Sequence, residues 1–303
     1  LRLITIHSVI QSEAKDLGNI HEILRRYVPL NDNNKNKSFM KTPTIVLTIA
    51  GSDSSGGAGI QADIKAISAL GSFAASAITS ITAQNTLGVQ GIHPIPIDMV
   101  RQQIEAVMED LHPEAVKIGM VCDKDIARTI AECIEKYHPK WVVYDPVMVS
   151  TSGHKLMTDD TIETIRQELI PRSTLITPNL HEARILTGHE LNTVEDMEKH
   201  AEVLSQTLRC SVLIKGGHLE GGEMCDILYD ATEARCFRYT APKIESQNLH
   251  GTGCTLSSAI ATKLSQGHSM KEAIALAKDY VTKAIDAAKD MHIGHGHGPL
   301  WHF

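Results

Sequence analysis

The sequence has little of what nucleic-acid-binding and membrane proteins need. Aromatic residues make up 4% of its 303 residues, and the formal net charge is −7. A nucleic-acid-binding surface is basic and offers aromatic rings on which bases stack. No apolar run approaches the roughly 20 residues of a membrane-spanning helix. We therefore expect neither a nucleic acid nor a membrane as a partner.

Paired cysteines are also missing. The six cysteines are scattered along the chain, and none of them stands in a C-x-x-C pair. This pattern favours reduced thiols over a disulfide framework. The beginning of the sequence is interrupted by His7 and has no small-residue cleavage site, which is not typical of a signal peptide. We expect a cytoplasmic protein.

The first part of the chain differs in character from the rest. Residues 31–38 are polar and of low complexity, and only a weak helical pattern precedes them. The nearly continuous apolar run 45–50 is typical of a buried parallel strand. We predict a flexible N-terminal extension over residues 1–42 and a single domain over residues 43–303.

Strands and helices alternate through this domain. Helical periodicity fills most of the intervals between apolar runs, and a β-hairpin is predicted over 227–240. Repeated strand–helix units predict an α/β fold with a mainly parallel central sheet and helices on both faces. Ligands of such sheets bind beyond the carboxyl ends of the strands. The predicted core strands are 45–50, 73–82, 115–119, 141–144, 174–177 and 211–214.

Two glycine-rich junctions mark that edge of the sheet. The loop 51–59 joins a strand to a helix and fits neither the Walker A nor the G-x-G-x-x-G pattern. Gly251, Thr252 and Gly253 precede another helical pattern, and a helix N-terminus of this kind suits a phosphate or a developing anion. Cys254 stands in the first turn, where the helix field is expected to lower the pKa of its thiol. The alternative is a tightly packed helix entry with a small buried cysteine.

Further polar residues stand at the ends of predicted strands. Asp145, Asn179 and Glu182 offer hard oxygen ligands, and the last two lie about one helical turn apart. Such a sparse set suits Mg²⁺, which keeps several waters and bridges to nucleotide phosphates. The alternative for Asn179 and Glu182 is a helix cap. Lys215 and Gly217 offer a cation and a flexible backbone for a nucleotide, or else an ordinary exit from a strand.

The last residues of the chain, 291–303, are rich in histidine and glycine. They resemble a metal-binding tract, but no carboxylate partner stands nearby in the sequence. The glycines predict a flexible segment. We expect a surface or packing role for this tail and no metal.

Six short motifs carry a family likeness. They are Ala50-Gly-Ser-Asp-Ser-Ser-Gly-Gly-Ala-Gly-Ile-Gln-Ala-Asp63, Ala83-Gln-Asn-Thr86, Lys117-Ile-Gly-Met120, Thr177-Pro-Asn-Leu-His-Glu182, Lys215-Gly-Gly-His218 and His250-Gly-Thr-Gly-Cys-Thr255. Together they closely resemble the hydroxymethylpyrimidine/phosphomethylpyrimidine kinases of thiamine synthesis, which have the ribokinase-like fold. The resemblance covers residues 44–303 and leaves the predicted extension outside.

The resemblance implies a role for each candidate residue. The residues that would bind the aminopyrimidine are Gly51, Asp63, Gln84 and Met120, and those that would bind ATP are Lys215 and Gly217. The metal–phosphate region would consist of Asp145, Asn179 and Glu182. The anion hole would be formed by Gly251, Thr252 and Gly253, beside Cys254 as the base. Many sugar kinases of the same fold have Asp in place of this cysteine. Without the resemblance, the position of Asp63 in the first turns of a predicted helix indicates a surface acid that the helix dipole favours.

The activity that the resemblance implies is that of an ATP- and Mg²⁺-dependent kinase. It would phosphorylate 4-amino-5-hydroxymethyl-2-methylpyrimidine and then the monophosphate, giving the diphosphate. A pyridoxal or pyridoxine kinase is the nearest alternative, because its substrate has the same ring and hydroxymethyl group. A catalytically silent sensor of a vitamin precursor is a third, although it has no need of Lys215 and Glu182. We also expect a homodimer, with a monovalent cation as a further candidate cofactor.

Overall fold

The computed structural model describes residues 42–148, 157–217 and 223–303. The predicted extension, apart from residue 42, lies outside the described residues, and so does His218. Within these ranges the chain forms one nine-stranded sheet. Its strands are β1 (Ile45–Asp53), β2 (Phe73–Asn85), β3 (Gly88–Pro94), β4 (Ala115–Ile118), β5 (Trp141–Tyr144), β6 (Leu175–Ile176), β7 (Ser211–Ile214), β8 (Glu223–Asp230) and β9 (Arg235–Pro242).

The centre of the sheet is parallel and its edges are antiparallel. The strand order is β3-β2-β1-β4-β5-β6-β7-β8-β9, and the strands from β2 through β7 in that order run parallel. At one edge β3 pairs antiparallel with β2, and at the other β8 and β9 continue antiparallel from β7. The predicted mainly parallel sheet is confirmed. The sequence did not predict β3, whose glycines and closing proline give a poor strand pattern.

Helices connect the strands. They are α1 (Gly59–Ala69), α2 (Ile97–Asp110), α3 (Lys124–Tyr137), α4 (Asp159–Thr164), α5 (Leu180–Thr187), α6 (Val194–Leu208), α7 (Thr252–Ser265) and α8 (Met270–Ala288). After α4 the chain continues through a π-helical turn, Ile165–Leu169, and a short 3₁₀ turn, Ile170–Arg172. A capping box at Ser269 starts α8, whereas α2 begins at Ile97 behind Pro96 without a side-chain cap.

Two apolar layers cover the two faces of the sheet. One contains α2, α3, α5 and α6, with buried side chains such as Ile104, Ile130 and Ala201. The other contains α7 and α8 together with part of α1, with Ile67, Ile260 and Ile274 in its centre. The predicted helices on both faces are therefore confirmed. None of the helices in the described ranges combines the length and the apolar character of a membrane span.

Candidate active site

The first glycine-rich loop is held by the carboxylate of Asp53, at the end of β1. Its Oδ1 accepts hydrogen bonds from the backbone N–H of Ser55 at 2.8 Å and from the Ser55 hydroxyl at 2.7 Å. Its Oδ2 accepts from Ala58 N at 2.8 Å. Burial alone would raise the pKa of Asp53, but the hydrogen bonds from His250, Ser55 and Ala58 outweigh it and lower the pKa to about 2. The loop is therefore organised around a carboxylate that is ionised at neutral pH.

The second glycine junction contacts the first. Gly251 is the N-cap of α7 and has φ +87°, and a Cβ at this position would lie 1.9 Å from the carbonyl oxygen of Gly57. Only glycine permits this approach and this backbone conformation. In the described structure no side chain caps α7, so its positive end has no neutralising group of its own. The Thr252 N–H already donates to Leu249 O at 3.2 Å, which engages one of the three predicted anion-hole residues.

The first turn of α7 also lies beside a lysine and a carboxylate from other strands. A Cβ at Gly253 would lie 3.2 Å from Asp145 Oδ2 and 3.3 Å from Lys215 Nζ. Asp145 directly follows β5, and Lys215 directly follows β7. The three groups were predicted to meet because the carboxyl ends of parallel strands share one edge of the sheet, and the structure brings them together.

Lys215, Asp145 and Glu182 form what we call the open cluster. Lys215 Nζ lies 2.8 Å from Asp145 Oδ1, which also accepts from the Thr177 hydroxyl at 3.0 Å. The side chain of Lys215 keeps 16% of its surface exposed. Burial raises the pKa of Glu182 to about 7, against the attraction of Lys215 and with added repulsion from Asp145. Two buried carboxylates here interact with one ammonium group, so the cluster has an excess of negative charge when Glu182 is ionised.

Asn179 and Glu182 form a capping box at the start of α5. Asn179 Oδ1 accepts from Glu182 N at 2.9 Å, and Glu182 Oε2 accepts from Asn179 N at 2.8 Å. The helix-cap alternative is thus present in the structure. This cap engages the amide oxygen of Asn179, which argues against Asn179 as a direct metal ligand. Glu182 interacts electrostatically with Asp145.

The residues of the open cluster fit a magnesium ion. Within the described ranges no group of three or more His, Cys, Asp or Glu side chains is placed to hold a metal ion. Mg²⁺, however, is commonly held by one or two carboxylates together with waters and substrate phosphates. The two buried carboxylates of Asp145 and Glu182, beside the uncapped start of α7, match that donor set.

Cys254 lies between this cluster and a second lysine. It is partly exposed in the first turn of α7, but protein groups surround its sulfur. Burial raises the pKa of the Cys254 thiol to about 11, with Lys117 opposing and Asp63 and Asp145 reinforcing the rise. The predicted lowering of this pKa is wrong, because desolvation and two neighbouring carboxylates outweigh the helix field. In the ligand-free protein Cys254 is a neutral thiol.

Lys117 and Asp63 form the second group, which we call the closed cluster. Lys117 Nζ lies 2.8 Å from both carboxylate oxygens of Asp63, and both side chains are 0% exposed. Asp63 also accepts from the hydroxyls of Thr48 at 2.6 Å and Ser258 at 2.7 Å. The surface-acid interpretation of Asp63 is wrong. The fully engaged carboxylate also argues against the direct substrate contact that the resemblance implied, and such a contact stays a prediction.

The remaining candidate substrate residues lie along β1 and β2. A Cβ at Gly51 would lie 2.7 Å from Met120 Cε and 2.8 Å from Ser80 Oγ, so Gly51 and Met120 are adjacent. Gln84 is half-buried near the end of β2, where its amide contacts Thr82 and His250. Gly217 lies in the turn beyond β7, half-buried.

Two residues at this edge carry no role in the sequence-based assignment. His250 Nε2 lies 2.8 Å from Asp53 Oδ2, and Lys117 neutralises Asp63. Both residues belong to the quoted motifs, but their partners are distant in the sequence, and spacing alone does not identify such pairs.

The histidine-rich tail packs against the site. Gly296 N donates to the Thr86 hydroxyl, and a Cβ on Gly296 would lie 2.1 Å from Thr86 O. His302 is buried beside the Thr255 hydroxyl at 3.0 Å, and burial lowers its pKa to about 4. Its glycines serve close packing against the turn after β2 and the loop before α7, which agrees with the expected packing role, and the expected flexibility stays a prediction.

A parallel sheet with an uncapped helix N-terminus, a lysine and two carboxylates at its carboxyl edge is typical of enzymes that transfer phosphoryl groups. The sequence model of the phosphomethylpyrimidine kinase family matches residues 53–301. A hydroxymethylpyrimidine/phosphomethylpyrimidine kinase from Bacillus subtilis is 45% identical over 258 residues, which cover 85% of this chain and 94% of that protein. The chain belongs to the phosphomethylpyrimidine kinase family.

Solved structures agree with this assignment. A phosphomethylpyrimidine kinase from Clostridium difficile 630 has a TM-score of 0.71 at 45% identity, covering 80% of this chain and 99% of that one. The pyridoxal kinase of Staphylococcus aureus, solved with AMP-PCP and pyridoxal, has a TM-score of 0.77 at 33% identity, covering 86% and 94%. The ribokinase-like fold is confirmed. Membership of a kinase family with relatives that bind an ATP analogue indicates that this enzyme uses ATP.

Proposed function

We propose that this enzyme transfers the γ-phosphoryl group of ATP to 4-amino-5-hydroxymethyl-2-methylpyrimidine, and then phosphorylates the monophosphate to the diphosphate used in thiamine synthesis. The observation that carries the proposal is the close approach of Gly253, at the uncapped start of α7, to Asp145 and Lys215. Donors, a cation and carboxylates converge there on one place where a phosphoryl group can be held.

The residues of the open cluster would position the phosphates. Lys215 supplies a positive charge to the nucleotide, and the backbone of Gly217 lies in the following turn. Asp145 and Glu182 would hold Mg²⁺, which supplies charge neutralisation at the phosphates when it is bound. Asn179 would support Glu182 through the capping box. A monovalent cation is a further candidate cofactor.

The first turn of α7 would stabilise the charge that develops on the transferred group. Gly251, Thr252 and Gly253 are the anion-hole candidates, and the Thr252 N–H would have to exchange its bond to Leu249 O for one to the anion. One such donor is worth about 10²–10³-fold in rate. Cys254 would accept the proton of the substrate hydroxyl. Its thiol is neutral in the ligand-free enzyme, so Cys254 must first release its own proton to solvent and would accept the hydroxyl proton as a thiolate.

The pyrimidine would lie against Gly51 and Met120, with its polar edge at Gln84. An amide offers a donor and an acceptor, which an aminopyrimidine edge matches. Asp63 would act from behind this surface by fixing Lys117. The S. aureus relative solved with pyridoxal keeps a pyridoxal kinase as the second candidate activity.

The test is a comparison of phosphate acceptors. The full chain is incubated with Mg²⁺–ATP and the pyrimidine alcohol, its monophosphate or pyridoxal, and the products are identified by mass spectrometry. We expect pyrimidine mono- and diphosphate, with pyridoxal phosphorylated more slowly. Preferential formation of pyridoxal phosphate would support the second candidate, and no phosphorylated product from any acceptor would support a silent sensor.

Assembly and location are part of the same proposal. We propose a cytoplasmic homodimer that acts on small molecules, with residues 1–42 as an extension outside the catalytic domain. Deleting this extension should leave turnover and the melting temperature unchanged. A drop in either would show that it contributes to the folded enzyme.

A further inference from the structure

His250 joins the two glycine-rich loops of the site. Its Nε2 lies 2.8 Å from Asp53 Oδ2, and Asp53 organises the loop that leads into α1. The next residue, Gly251, is the N-cap of α7. The same nitrogen lies 3.2 Å from the Gln84 side-chain amide. From the loop that leads into α7, His250 therefore contacts both the Asp53 loop and the side chain of Gln84, the candidate pyrimidine-binding amide.

We propose that His250 is a positioning residue that fixes the orientation of the Gln84 amide and locks the start of α7 to the Asp53 loop. This role rests on the proposed function and deepens it, because it assigns to His250 the selection of the pyrimidine. His250 itself does not contact the reacting atoms.

The hydrogen-bond pattern determines which nitrogen of His250 carries a proton. Asp53 is an ionised acceptor, since its hydrogen bonds hold its pKa at about 2. Two acceptors do not share a 2.8 Å contact, so His250 Nε2 carries a proton and donates to Asp53 Oδ2. Which ring nitrogen is protonated is thus assigned from the network around it.

The protonated nitrogen also orients Gln84. With the Gln84 nitrogen 3.2 Å from His250 Nε2, two donors would face each other. Turning the amide over places its oxygen against the His250 N–H and its nitrogen against the Thr82 hydroxyl, which donates to Ser52 O at 2.9 Å. In this orientation the single His250 Nε2–H is shared between Asp53 Oδ2 at 2.8 Å and the Gln84 oxygen at 3.2 Å, and the Gln84 nitrogen donates to the Thr82 hydroxyl. One N–H and one oxygen lone pair of Gln84 remain, and these are what an aminopyrimidine edge needs.

Packing restricts the orientation of the His250 ring. The residue is 8% exposed. A Cβ at Gly57 would lie 2.4 Å from His250 Cδ2 and 3.3 Å from Pro299 Cβ, so the ring fills the space between the first loop and the tail. The His250 backbone N–H donates to Gly298 O at 3.0 Å. The tail thus holds the backbone of the residue whose ring orients Gln84.

Kinetics of His250→Leu and His250→Gln test the proposal. Leu removes the donor, whereas the Gln side chain can present an N–H at similar reach. We expect His250→Leu to lower kcat/KM for the pyrimidine alcohol about 10–100-fold, the range for a lost hydrogen bond to a charged group, with a larger rise in the KM for the pyrimidine than in the KM for ATP. His250→Gln should recover most of this loss. An unchanged pyrimidine KM in the Leu variant, or equal losses in both variants, would overturn the proposal.

A spectroscopic test on the wild-type protein does not depend on activity. Long-range ¹H–¹⁵N correlation of the histidine rings, with the His250 signals identified by their absence in His250→Gln, reports which nitrogen is protonated. We expect a protonated Nε2, and an unprotonated Nε2 would contradict the assignment. If wild-type enzyme did not phosphorylate the pyrimidine, the proposed function would fail. The spectrum would still test whether His250 Nε2 carries the proton that is donated to Asp53.

Discussion

The closed and open clusters both consist of a lysine with one or two carboxylates at the carboxyl edge of the sheet. They differ in whether their charged groups can still bind a ligand. In the closed cluster, Lys117 faces the single carboxylate of Asp63, and both side chains are 0% exposed. In the open cluster, Lys215 faces Asp145 and Glu182, and its side chain is 16% exposed.

The numbers of charged groups explain the different roles. One ammonium and one carboxylate are neutral together, and hydroxyls from Thr48 and Ser258 complete the hydrogen bonding of Asp63. A closed pair of this kind can hold strands and helices together but has no capacity for a ligand. The open cluster has one carboxylate more than it has ammonium groups, which gives an excess of negative charge when Glu182 is ionised. Burial, with added repulsion from Asp145, raises the pKa of Glu182. A cation that arrives with a nucleotide would remove the excess.

Cys254 lies between the two clusters, and its replacement should have the largest effect. Cys254→Ala is expected to lower turnover by about 10²–10⁴-fold, the contribution of a general base, with little change in ATP binding. Cys254→Asp should retain more activity than Ala, since it restores a proton acceptor. Because the thiol has a pKa of about 11, alkylation should be slow at pH 7 and accelerate as the pH rises. Wild-type turnover in Cys254→Ala would leave the cysteine a packing residue.

Removing the lysine of the closed cluster should destabilise the fold. Lys117→Met leaves Asp63 buried without its counter-charge, which typically costs about 3–5 kcal/mol. The measurement is the free energy of unfolding in urea. Lys263→Met is the matched control, because Lys263 lies near the C-terminal end of α7, where it bonds Gln266. A stability loss in Lys117→Met no larger than in the control would show that the closed cluster does not hold the fold.

Removing the lysine of the open cluster should instead reduce catalysis. Lys215→Met is expected to lower kcat by about 10²–10³-fold, comparable to the loss of one charge-stabilising donor. Its unfolding free energy should fall less than that of Lys117→Met, because Glu182 can take up a proton when the ammonium is lost. Equal stability losses in the two variants, with turnover retained in Lys215→Met, would contradict the assignment of a structural role to one cluster and a catalytic role to the other.

A smaller effect is expected at the substrate side, away from both clusters. Gln84→Leu should cost about 10-fold more in kcat/KM with the pyrimidine alcohol than with pyridoxal, because it leaves the polar edge of the pyrimidine without partners. Steady-state rates with the two acceptors give this ratio, and Gln84→Glu serves as a variant of similar size. Equal losses with both acceptors would mean that Gln84 does not discriminate between the pyrimidine and the pyridoxal ring.

The sequence predicted the features of the fold and site that depend on local pattern. Apolar runs located the parallel strands, and the position of Asp145 and Lys215 after two of them predicted that they would meet. The pKa of Cys254 was predicted in the wrong direction, because a helix terminus is visible in a sequence whereas the crowding around a sulfur is not. The partner of Asp63 stands 54 residues away, and no spacing rule connects the two.

The tail shows the same limit for packing. A run of glycines and histidines is typical of a flexible segment. In the folded chain Gly296 is required because Thr86 O occupies the space that a side chain would need. Contacts between residues this far apart in the sequence depend on the assembled sheet.

The central claim is that the open cluster receives the magnesium–nucleotide complex, and proton release on binding tests it most directly. Burial raises the pKa of Glu182 to about 7, above its ordinary value, so at pH 6.5 most ligand-free molecules carry a proton there. A cation favours the carboxylate, and the proton must leave. The measurement is calorimetry of AMP-PCP binding with Mg²⁺, in buffers of different ionisation enthalpy, for wild type and Glu182→Gln.

We expect wild type to release more protons than Glu182→Gln at pH 6.5, by up to one proton per molecule. Protons released by the nucleotide itself cancel in this difference. At pH 8.5, where Glu182 is already ionised, the difference should vanish. Equal proton release by the two proteins at pH 6.5 would contradict the assignment of the open cluster as the magnesium–nucleotide site.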